Sequence, residues 1–567
     1  FQSNRYGLRS QASWGSQDDV LMAFVNEEAY DRYRLDKENY ELLQDAEKAE
    51  KAAAEKKEKA QTGKKGKKGD KKNADAKKDD TVKPIVVELD KIHDRIVRVT
   101  PNSSNLAGAA ITKDGNTLYY LSSVEKGYDL WKMDLRKHST SLLNKMDSRW
   151  ADIVTDKEGK TFYLLGSSAM QKLSGDKLTP ITYSAEVLMN TARERAYMFE
   201  RVHREVANRF YNKNMHGCDW EGTVAHYRKF LPYITNYYDF SNLLSETLGE
   251  LNCSHSGGRY YPSNSGASTG NLGLLFDTNY TGQGLKVAEV VEYGPLDRAK
   301  SKVRPGTVIE QINGVKISPE NDYTQLLNGQ IGKKVLISCR SNGNTWDEVV
   351  IPTSNGAFNQ LLYKRWVKRE ARMVDSLSHG RLGYVHIQSM NDESYREIYD
   401  QVLGKYTQRE GIVIDTRGNG GGRLHEDIQI LFSGEKYLTQ VVRGRAACDM
   451  PSRRWNKPSI MLICENNYSN AHGTPWVYKH TRMGKLVGMP VPGTMSSVNW
   501  ETLQDESLIF GLPVIGYETA DGTYLENTQL EPDIKVANDP ATVVKGDDRQ
   551  LKAAVDELLR ECDAKKK

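Results

Sequence analysis

The chain has 567 residues, of which 38% are apolar and 27% are charged, and its net charge is +4. This length exceeds what one hydrophobic core holds, so it predicts three or four domains. The small net charge gives no whole-protein field that would favour nucleic acid, and no apolar run is long enough to span a membrane. The composition therefore predicts a soluble globular protein without a membrane or nucleic-acid partner.

The chain begins with Phe1, has no initiator methionine and carries no signal peptide. We expect it to be a fragment of a longer protein. Its six cysteines are widely spaced and form no Cys-x-x-Cys pair. This predicts buried free thiols and leaves the redox compartment open.

Residues 1–43 contain short apolar alternations that predict a propeller-like fragment. Residues 44–83 are rich in Lys, Ala, Glu, Asp and Gly, and they cannot bury enough apolar surface to offset the entropy of ordering. A basic arm that binds nucleic acid is one interpretation. Interleaved acids and the lack of aromatic side chains favour the other, a solvated insertion with a helical first half.

A repeat follows. Residues 112–120 (Thr-Lys-Asp-Gly-Asn-Thr-Leu-Tyr-Tyr) are echoed by residues 156–163 (Asp-Lys-Glu-Gly-Lys-Thr-Phe-Tyr). The spacing of about 44 residues is typical of a four-stranded propeller blade. Two copies cannot close a ring, so residues 84–182 are predicted to be the last blades of a larger propeller.

After the repeat, apolar residues at spacings of three and four, from Met189 to Phe210, predict a helix. We expect a helical segment over residues 183–266. From residue 380 onward, apolar runs at 382–387, 411–415 and 459–463 are typical of buried parallel strands. Amphipathic stretches separate them, which predicts an α/β core over residues 356–567.

Between these parts, residues 267–355 form a β-rich module. Residues 295–299 (Pro-Leu-Asp-Arg-Ala) predict a helix, and a Pro-Gly turn, a strand and an Asn-Gly turn follow over 303–314. This order resembles a PDZ domain of the protease-associated kind, which implies capture of extended peptides by β-augmentation. The predicted carboxylate-binding loop and strand are Gly273, Leu274 and Leu275.

Three segments contain residue types suited to chemistry. A glycine cluster at 415–422 (Asp-Thr-Arg-Gly-Asn-Gly-Gly-Gly) follows a buried strand and suits a phosphate, an oxyanion or a purely structural tight turn. Ser469 lies where another strand gives way to a helix, so it is either a nucleophile or a helix N-cap. His255, between two serines, is either a general base or a surface or capping residue.

In this order, the segments resemble the tricorn-like serine peptidases of the carboxyl-terminal-processing protease superfamily (family S41). The resemblance covers about residues 185–540 and implies a catalytic tetrad with Ser469 as nucleophile, His255 as general base, Ser254 as its orienting serine and Glu526 as the acid. It also implies an oxyanion hole formed by Asn470, Gly421 and Gly422. A serine hydroxyl is a poor nucleophile until a base takes its proton, and the base needs a third group to fix its tautomer.

Two features depart from the family pattern. His472 stands three residues after Ser469, where an acid is usual, and the Lys-rich tract is foreign to the family. A metal site is not expected, because the histidines show no ligand spacing; they are His216, His226, His425 and His472.

The predicted fold is multidomain α/β, with a partial β-propeller, a helical segment, a PDZ-like domain and the α/β catalytic core. The predicted function is peptide-bond hydrolysis in oligopeptides or unfolded proteins, without cofactors, by a possible homo-oligomer. The resemblance implies a cytoplasmic protein, with the periplasm as the alternative compartment. The alternative function is a non-catalytic peptide-binding scaffold, and retention of all four tetrad residues argues against it.

Overall fold

The computed structural model describes residues 2–4, 18–62, 84–124, 126–167, 170–186, 188–263, 266–318 and 320–566. The chain divides into two compact units, Phe1–Val187 and Leu188–Lys567. Residues 63–83 of the predicted charged insertion lie outside the described residues. None of the described helices combines the length and apolar character that a bilayer crossing requires.

The first unit opens with a three-stranded antiparallel sheet of β1 (Gln2–Asn4), β2 (Asp18–Ala23) and β3 (Ile96–Arg98). Between β2 and β3 in sequence come α1 (Glu27–Arg34) and α2 (Lys37–Thr62). The buried Tyr40 anchors the start of α2, since the Arg136 guanidinium lies 3.8 Å from its ring centre. The residues of the charged tract that are described thus continue a helix that begins before the tract.

The two sequence repeats fold alike. The first forms a four-stranded sheet of β4 (Asn105–Ile111), β5 (Thr117–Ser123), β6 (Tyr128–Asp134) and β7 (Ser139–Ser148). The second forms one of β8 (Ala151–Thr155), β9 (Thr161–Gly166), β10 (Met170–Ser174) and β11 (Lys177–Ile181). Gly115 and Gly159, with φ of 68° and 65°, make the matching first turns. Each repeat is therefore an antiparallel meander, and the assignment of the two repeats as blades of a larger propeller stays a prediction.

The second unit begins with helices that pack on a small sheet. They are α3 (Thr191–Arg209), α4 (Trp220–Arg228) and α5 (Tyr237–Gly249), and β12 (Gly257–Tyr260) follows them. The predicted apolar stripe is correct from Phe199 to Phe210 but starts too early, because Met189 is 57% exposed. Asn190 caps α3 by accepting from the Arg193 N–H at 3.0 Å, which fixes the start of the helix after Met189.

The β-rich module contains β13 (Leu274–Phe276), β14 (Leu285–Val290), β15 (Val308–Ile312), β16 (Val315–Lys316), β17 (Val335–Ser341) and β18 (Asn344–Val350). Its sheet runs β13-β14-β15-β17-β18, and β16 pairs with β15. The helix predicted over residues 295–299 is wrong, since the chain makes successive turns there. The Asp297 carboxylate accepts from the Tyr293 N–H at 2.7 Å and the Asp297 N–H donates to the Gly294 carbonyl, so these residues close a tight turn.

The remaining elements form the α/β core. In chain order they are α6 (Asn355–Leu377), β19 (Leu382–His386), α7 (Asp392–Asp400), β20 (Gly411–Asp415), α8 (His425–Phe432), β21 (Leu438–Val442), β22 (Arg445–Met450), β23 (Ser459–Ile463), α9 (Asn470–His480), β24 (Leu486–Gly488), β25 (Ser496–Thr502), β26 (Leu508–Gly516), β27 (Ile534–Lys535), α10 (Pro540–Val543) and α11 (Arg549–Ala564).

A parallel sheet in the order β19-β20-β23-β24-β27 lies at the centre of this core, and the three predicted strands are its first three members. Side chains of β20 alternate between two buried clusters, with Ile412 and Ile414 in one and Val413 in the other. Asp415 pairs with Leu462 at the end of the β20–β23 ladder. The loops that follow these two strands therefore emerge side by side, where open α/β sheets place their sites.

A second sheet, β12-β26-β25, lies under the helices of this unit. Its buried Phe510 and Leu512 belong to one apolar cluster with Phe199, Phe240 and Leu244 from the helices. The pairing of β12 with β26 fixes the segment immediately before Gly257, which contains His255.

Candidate active site

Ser469 occupies a strained turn between β23 and α9. Its φ and ψ are 58° and −124°, a conformation that non-glycine residues adopt mainly where function demands it. Its N–H donates to the Thr494 hydroxyl at 2.9 Å, and its side chain makes no capping hydrogen bond to α9. Ser469 therefore occupies the N-cap position of α9, as the structural alternative predicts. Its hydroxyl caps no backbone N–H group, however, and stays available for chemistry.

The glycine cluster passes directly beside Ser469. A Cβ added to Gly421 would lie 2.5 Å from the Ser469 Cβ and 3.0 Å from the Asn470 nitrogen. The Gly421 N–H donates to the Asn419 side chain at 2.8 Å. Among the described residues, the N–H groups of Gly422 and Asn470 have no acceptor. Two backbone donors next to the hydroxyl therefore remain open.

Buried polar contacts hold this loop at both ends. At its start, Asp415 accepts from the Tyr384 hydroxyl at 2.9 Å and from the Arg417 guanidinium. Burial opposes ionisation of Asp415, but the charge of Arg417 holds its pKa below the ordinary value. At its end, the Asn470 Oδ1 accepts from the N–H groups of Leu424 at 2.8 Å and His425 at 3.2 Å. The nucleophile's helix and the glycine loop are thus fixed to each other.

A hydrogen-bond chain joins the other three tetrad residues. The Ser254 Oγ lies 2.7 Å from the His255 Nδ1 and 3.0 Å from the Glu526 Oε2. The Ser254 N–H donates to the Glu526 Oε1 at 2.5 Å. Because the buried carboxylate accepts the Ser254 proton, the Ser254 Oγ accepts from Nδ1 and leaves Nε2 of His255 without a proton.

Tyr468 connects this chain to the nucleophile's turn. Its hydroxyl accepts from the His255 N–H at 2.8 Å, and the two rings lie 4.6 Å apart. Sequence reasoning missed Tyr468, although its place immediately before Ser469 was a signal. It also missed Ser496, whose Oγ is 3.2 Å from the His255 Nδ1; no motif in its segment marks it.

The local environment sets the charge of the titratable groups. Burial, aided by the charge of Arg259, lowers the pKa of His255 from 6.5 to about 4. Its imidazole is therefore neutral near pH 7 and able to accept a proton. Burial, with Glu526 nearby, raises the pKa of the Cys253 thiol far above its ordinary range, so this neighbouring thiol is a poor nucleophile.

The other histidines named in the sequence analysis have separate surroundings. His472 is fully buried, and neither ring nitrogen has a hydrogen-bond partner among the described residues. Burial lowers its pKa to about 4, so the position holds a neutral ring where a carboxylate would be costly. His216 binds Tyr211 and the Leu251 carbonyl, whereas His425 binds Asn470.

In the β-rich module, β13 is an edge strand and contains Leu274 and Leu275. Gly273 precedes it with φ of 74°, and its N–H donates to the Asn271 side chain at 2.9 Å. The role of these residues as a carboxylate-binding loop stays a prediction.

Two family models and several known proteins match this chain. Residues 381–536 match Peptidase family S41, and residues 191–249 match the Tricorn protease C1 domain. The chain is 24% identical over 484 residues to the Tricorn protease of Thermoplasma acidophilum, covering 78% of this chain and 42% of that protein. It is 27% identical over 379 residues to Tricorn protease homolog 1 of Streptomyces coelicolor, and the match covers 64% of this chain and 35% of that protein.

The fold agrees with these matches. A crystal structure of the tricorn protease superposes with a TM-score of 0.71 at 18% identity, over 86% of this chain and 49% of that one. The chain spans less than half the length of the curated relatives it matches. The α/β core thus matches Peptidase family S41, the helical segment matches the Tricorn protease C1 domain, and the chain is similar to tricorn proteases over both parts.

Proposed function

We propose that this protein is a serine peptidase that hydrolyses peptide bonds through Ser469, His255, Ser254 and Glu526. The observation that carries the proposal is the hydrogen-bond chain from Glu526 through Ser254 to His255, which Tyr468 joins to the strained turn of Ser469. Such a chain fixes the tautomer and orientation of the base that an activated serine requires.

In the proposed reaction, the Ser469 hydroxyl attacks the carbonyl carbon of the peptide bond while Nε2 of His255 takes its proton. The N–H groups of Asn470 and Gly422 stabilise the oxyanion, and Gly421 allows the loop to approach closely. The C–N bond then breaks, and His255 gives the proton to the leaving amine. Water hydrolyses the acyl-enzyme by the same route in reverse, with His255 again as base.

The substrates we propose are oligopeptides and unfolded chains. The free edge of β13 supports this, because an extended peptide can add to such an edge through backbone hydrogen bonds. Assembly into a homo-oligomer stays a prediction.

Labelling with a fluorophosphonate tests the proposal most directly. The probe should attach to Ser469, as shown by mass spectrometry of the digested protein, and labelling should disappear in Ser469→Ala. Absence of labelling in the intact protein at any pH between 5 and 9 would favour a non-catalytic peptide-binding scaffold.

Glu526 should act through Ser254 and not on the substrate. We expect Glu526→Gln to lower kcat/KM by about 10²- to 10⁴-fold, less than His255→Ala, because the amide no longer fixes Ser254 as an acceptor for Nδ1. Labelling of Ser469 should persist at high probe concentration. The exposed Glu531, changed to Gln, is the matched control and should keep wild-type turnover. Equal, total loss in Glu526→Gln and His255→Ala would assign Glu526 a structural role.

The pH profile should show the lowered pKa of His255. Only the neutral imidazole accepts the Ser469 proton. As the pH is lowered, kcat/KM should therefore stay constant through pH 6.5 and decrease with a midpoint near pH 4. The charge of Arg259 lowers this pKa, so Arg259→Gln should move the acid limb to higher pH. The rate of fluorophosphonate inactivation against pH measures this without a substrate. An acid limb at pH 6.5 or above in the intact protein contradicts the expectation.

A further inference from the structure

Arg423 lies beside the proposed oxyanion hole. It directly follows Gly422, and its N–H donates to the Met390 carbonyl at 2.5 Å. Met390 in turn donates to the Gly421 carbonyl at 2.9 Å, so the backbone of this segment is fixed to the loop that follows β19. The side chain of Arg423 therefore starts from a rigid point next to the nucleophile.

The Arg423 guanidinium is half-buried and unpaired. No carboxylate among the described residues lies within 4.0 Å of it. Burial lowers the pKa of Arg423. Among the described titratable groups, the phenol of Tyr517 acts in the opposite direction and raises it. The charges of Glu426 and Asp427 act on the neighbouring His425. A half-buried guanidinium without a carboxylate partner in the described chain is available to pair with an anion that a ligand supplies.

A second arginine makes the site more positive. Arg259, on β12 just after His255, has no carboxylate within 4.0 Å among the described residues and lies 3.8 Å from the ring centre of Trp500. Its charge reaches His255. The one tetrad carboxylate, Glu526, is buried and already accepts two hydrogen bonds from Ser254. Arg259 and Arg423 thus bring two positive charges to the segments that form this site, against the one carboxylate of Glu526.

Building on the proposed peptidase function, we propose that Arg423 binds a carboxylate of the substrate and makes this protein selective for peptides that carry a negative charge beside the scissile bond. A planar guanidinium pairs with a carboxylate through two parallel hydrogen bonds. Two groups have this chemistry: an acidic side chain next to the scissile bond, and the free carboxylate at the end of a short peptide.

Two pairs of fluorogenic peptides separate these sources. The first pair has Glu or Gln before the scissile bond and amidated ends. The second has neutral side chains and ends in a free carboxylate or an amide. We expect kcat/KM to favour the carboxylate member of at least one pair by about 10- to 100-fold, as for a hydrogen-bonded ion pair. The pair that shows the preference identifies the source.

Variants then assign the preference to Arg423. In Arg423→Gln the two members of the responsive pair should be cleaved at equal rates, mainly through slower cleavage of the carboxylate member. Arg423→Lys should keep part of the preference, since lysine retains the charge but not the paired hydrogen bonds. Arg560→Gln removes the same charge from an exposed position on α11 and should keep the full preference. Equal rates within both pairs in the intact protein, or a preference unchanged in Arg423→Gln, would overturn the inference.

Binding to the Ser469→Ala variant separates this inference from the peptidase proposal. Fluorescence anisotropy of the same peptides, labelled with fluorescein, should show tighter binding of the carboxylate member, and Arg423→Gln should remove the difference. Selective binding without hydrolysis would sustain the role of Arg423 and refute the peptidase. Hydrolysis with no selectivity would refute only the role of Arg423. Neither binding nor hydrolysis would overturn both.

Discussion

Ser469→Ala should lower peptide hydrolysis by about 10⁶-fold, as the removal of a serine nucleophile does. The melting temperature should hardly change, because the Ser469 side chain makes no capping hydrogen bond and alanine can occupy the same turn. Measurement of kcat/KM on a fluorogenic peptide, with thermal unfolding of the same preparation, checks both expectations.

Ser496→Ala provides the comparison for this result. The Ser496 Oγ also lies near the His255 ring, 3.2 Å from Nδ1, but on the side that orients the base. Loss of the Ser496 hydroxyl should therefore lower kcat/KM much less, by about tenfold or below, because it removes one neutral hydrogen bond. If Ser469→Ala keeps more than about a hundredth of wild-type turnover, Ser469 is not the nucleophile.

Gly421→Ala should lower turnover by about a hundredfold or more. Its φ is 97°, and an added Cβ would lie 2.5 Å from the Ser469 Cβ and 2.8 Å from the Tyr468 carbonyl oxygen. Since neither backbone can yield without moving the other, the nucleophile or the oxyanion donors must shift. Displacements of about 1 Å at such a site cost about a hundredfold, so we expect at least that loss in kcat/KM and slower fluorophosphonate labelling.

Gly420 offers the matched control one residue earlier. A Cβ there meets no atom within 4 Å, and its φ does not lie in the left-handed region. Gly420→Ala should therefore remain active and label at the wild-type rate. Full activity in Gly421→Ala would show that the loop and the turn of Ser469 are not held in contact during catalysis.

Regular patterns made much of the fold predictable. Strands β19, β20 and β23 are buried on both faces, so each appears as a continuous apolar run. The turns at Gly115 and Gly159 recur at the same point of each meander, and that made the repeat visible. The helix predicted over residues 295–299 failed because Asp297 closes a local turn, a competition between side chain and backbone that composition does not reveal.

The site was harder to predict, because its contacts join distant parts of the chain. Glu526 binds Ser254 across 272 residues, and its role came only from resemblance to the family. The position of Ser496 depends on the pairing of β25 with β26, which no local pattern encodes. The Gly421 N–H was predicted as an oxyanion donor, yet it donates to Asn419. Donor directions follow from φ and ψ, and these are set only once the loop is folded.

The β-rich module enters and leaves the catalytic unit at a single point. Asn271 and Thr353 form a bridge in which each N–H donates to the other's carbonyl, at 2.8 and 2.9 Å. In sequence the module separates His255 from Ser469, but in space its two ends meet. For the rest of the unit, the module therefore has the same effect as a short loop between Asn271 and Thr353. A longer chain between the same two ends adds little to the entropic cost of closing that loop. Evolution can exchange, enlarge or lose such an appendage without changing the distance between base and nucleophile.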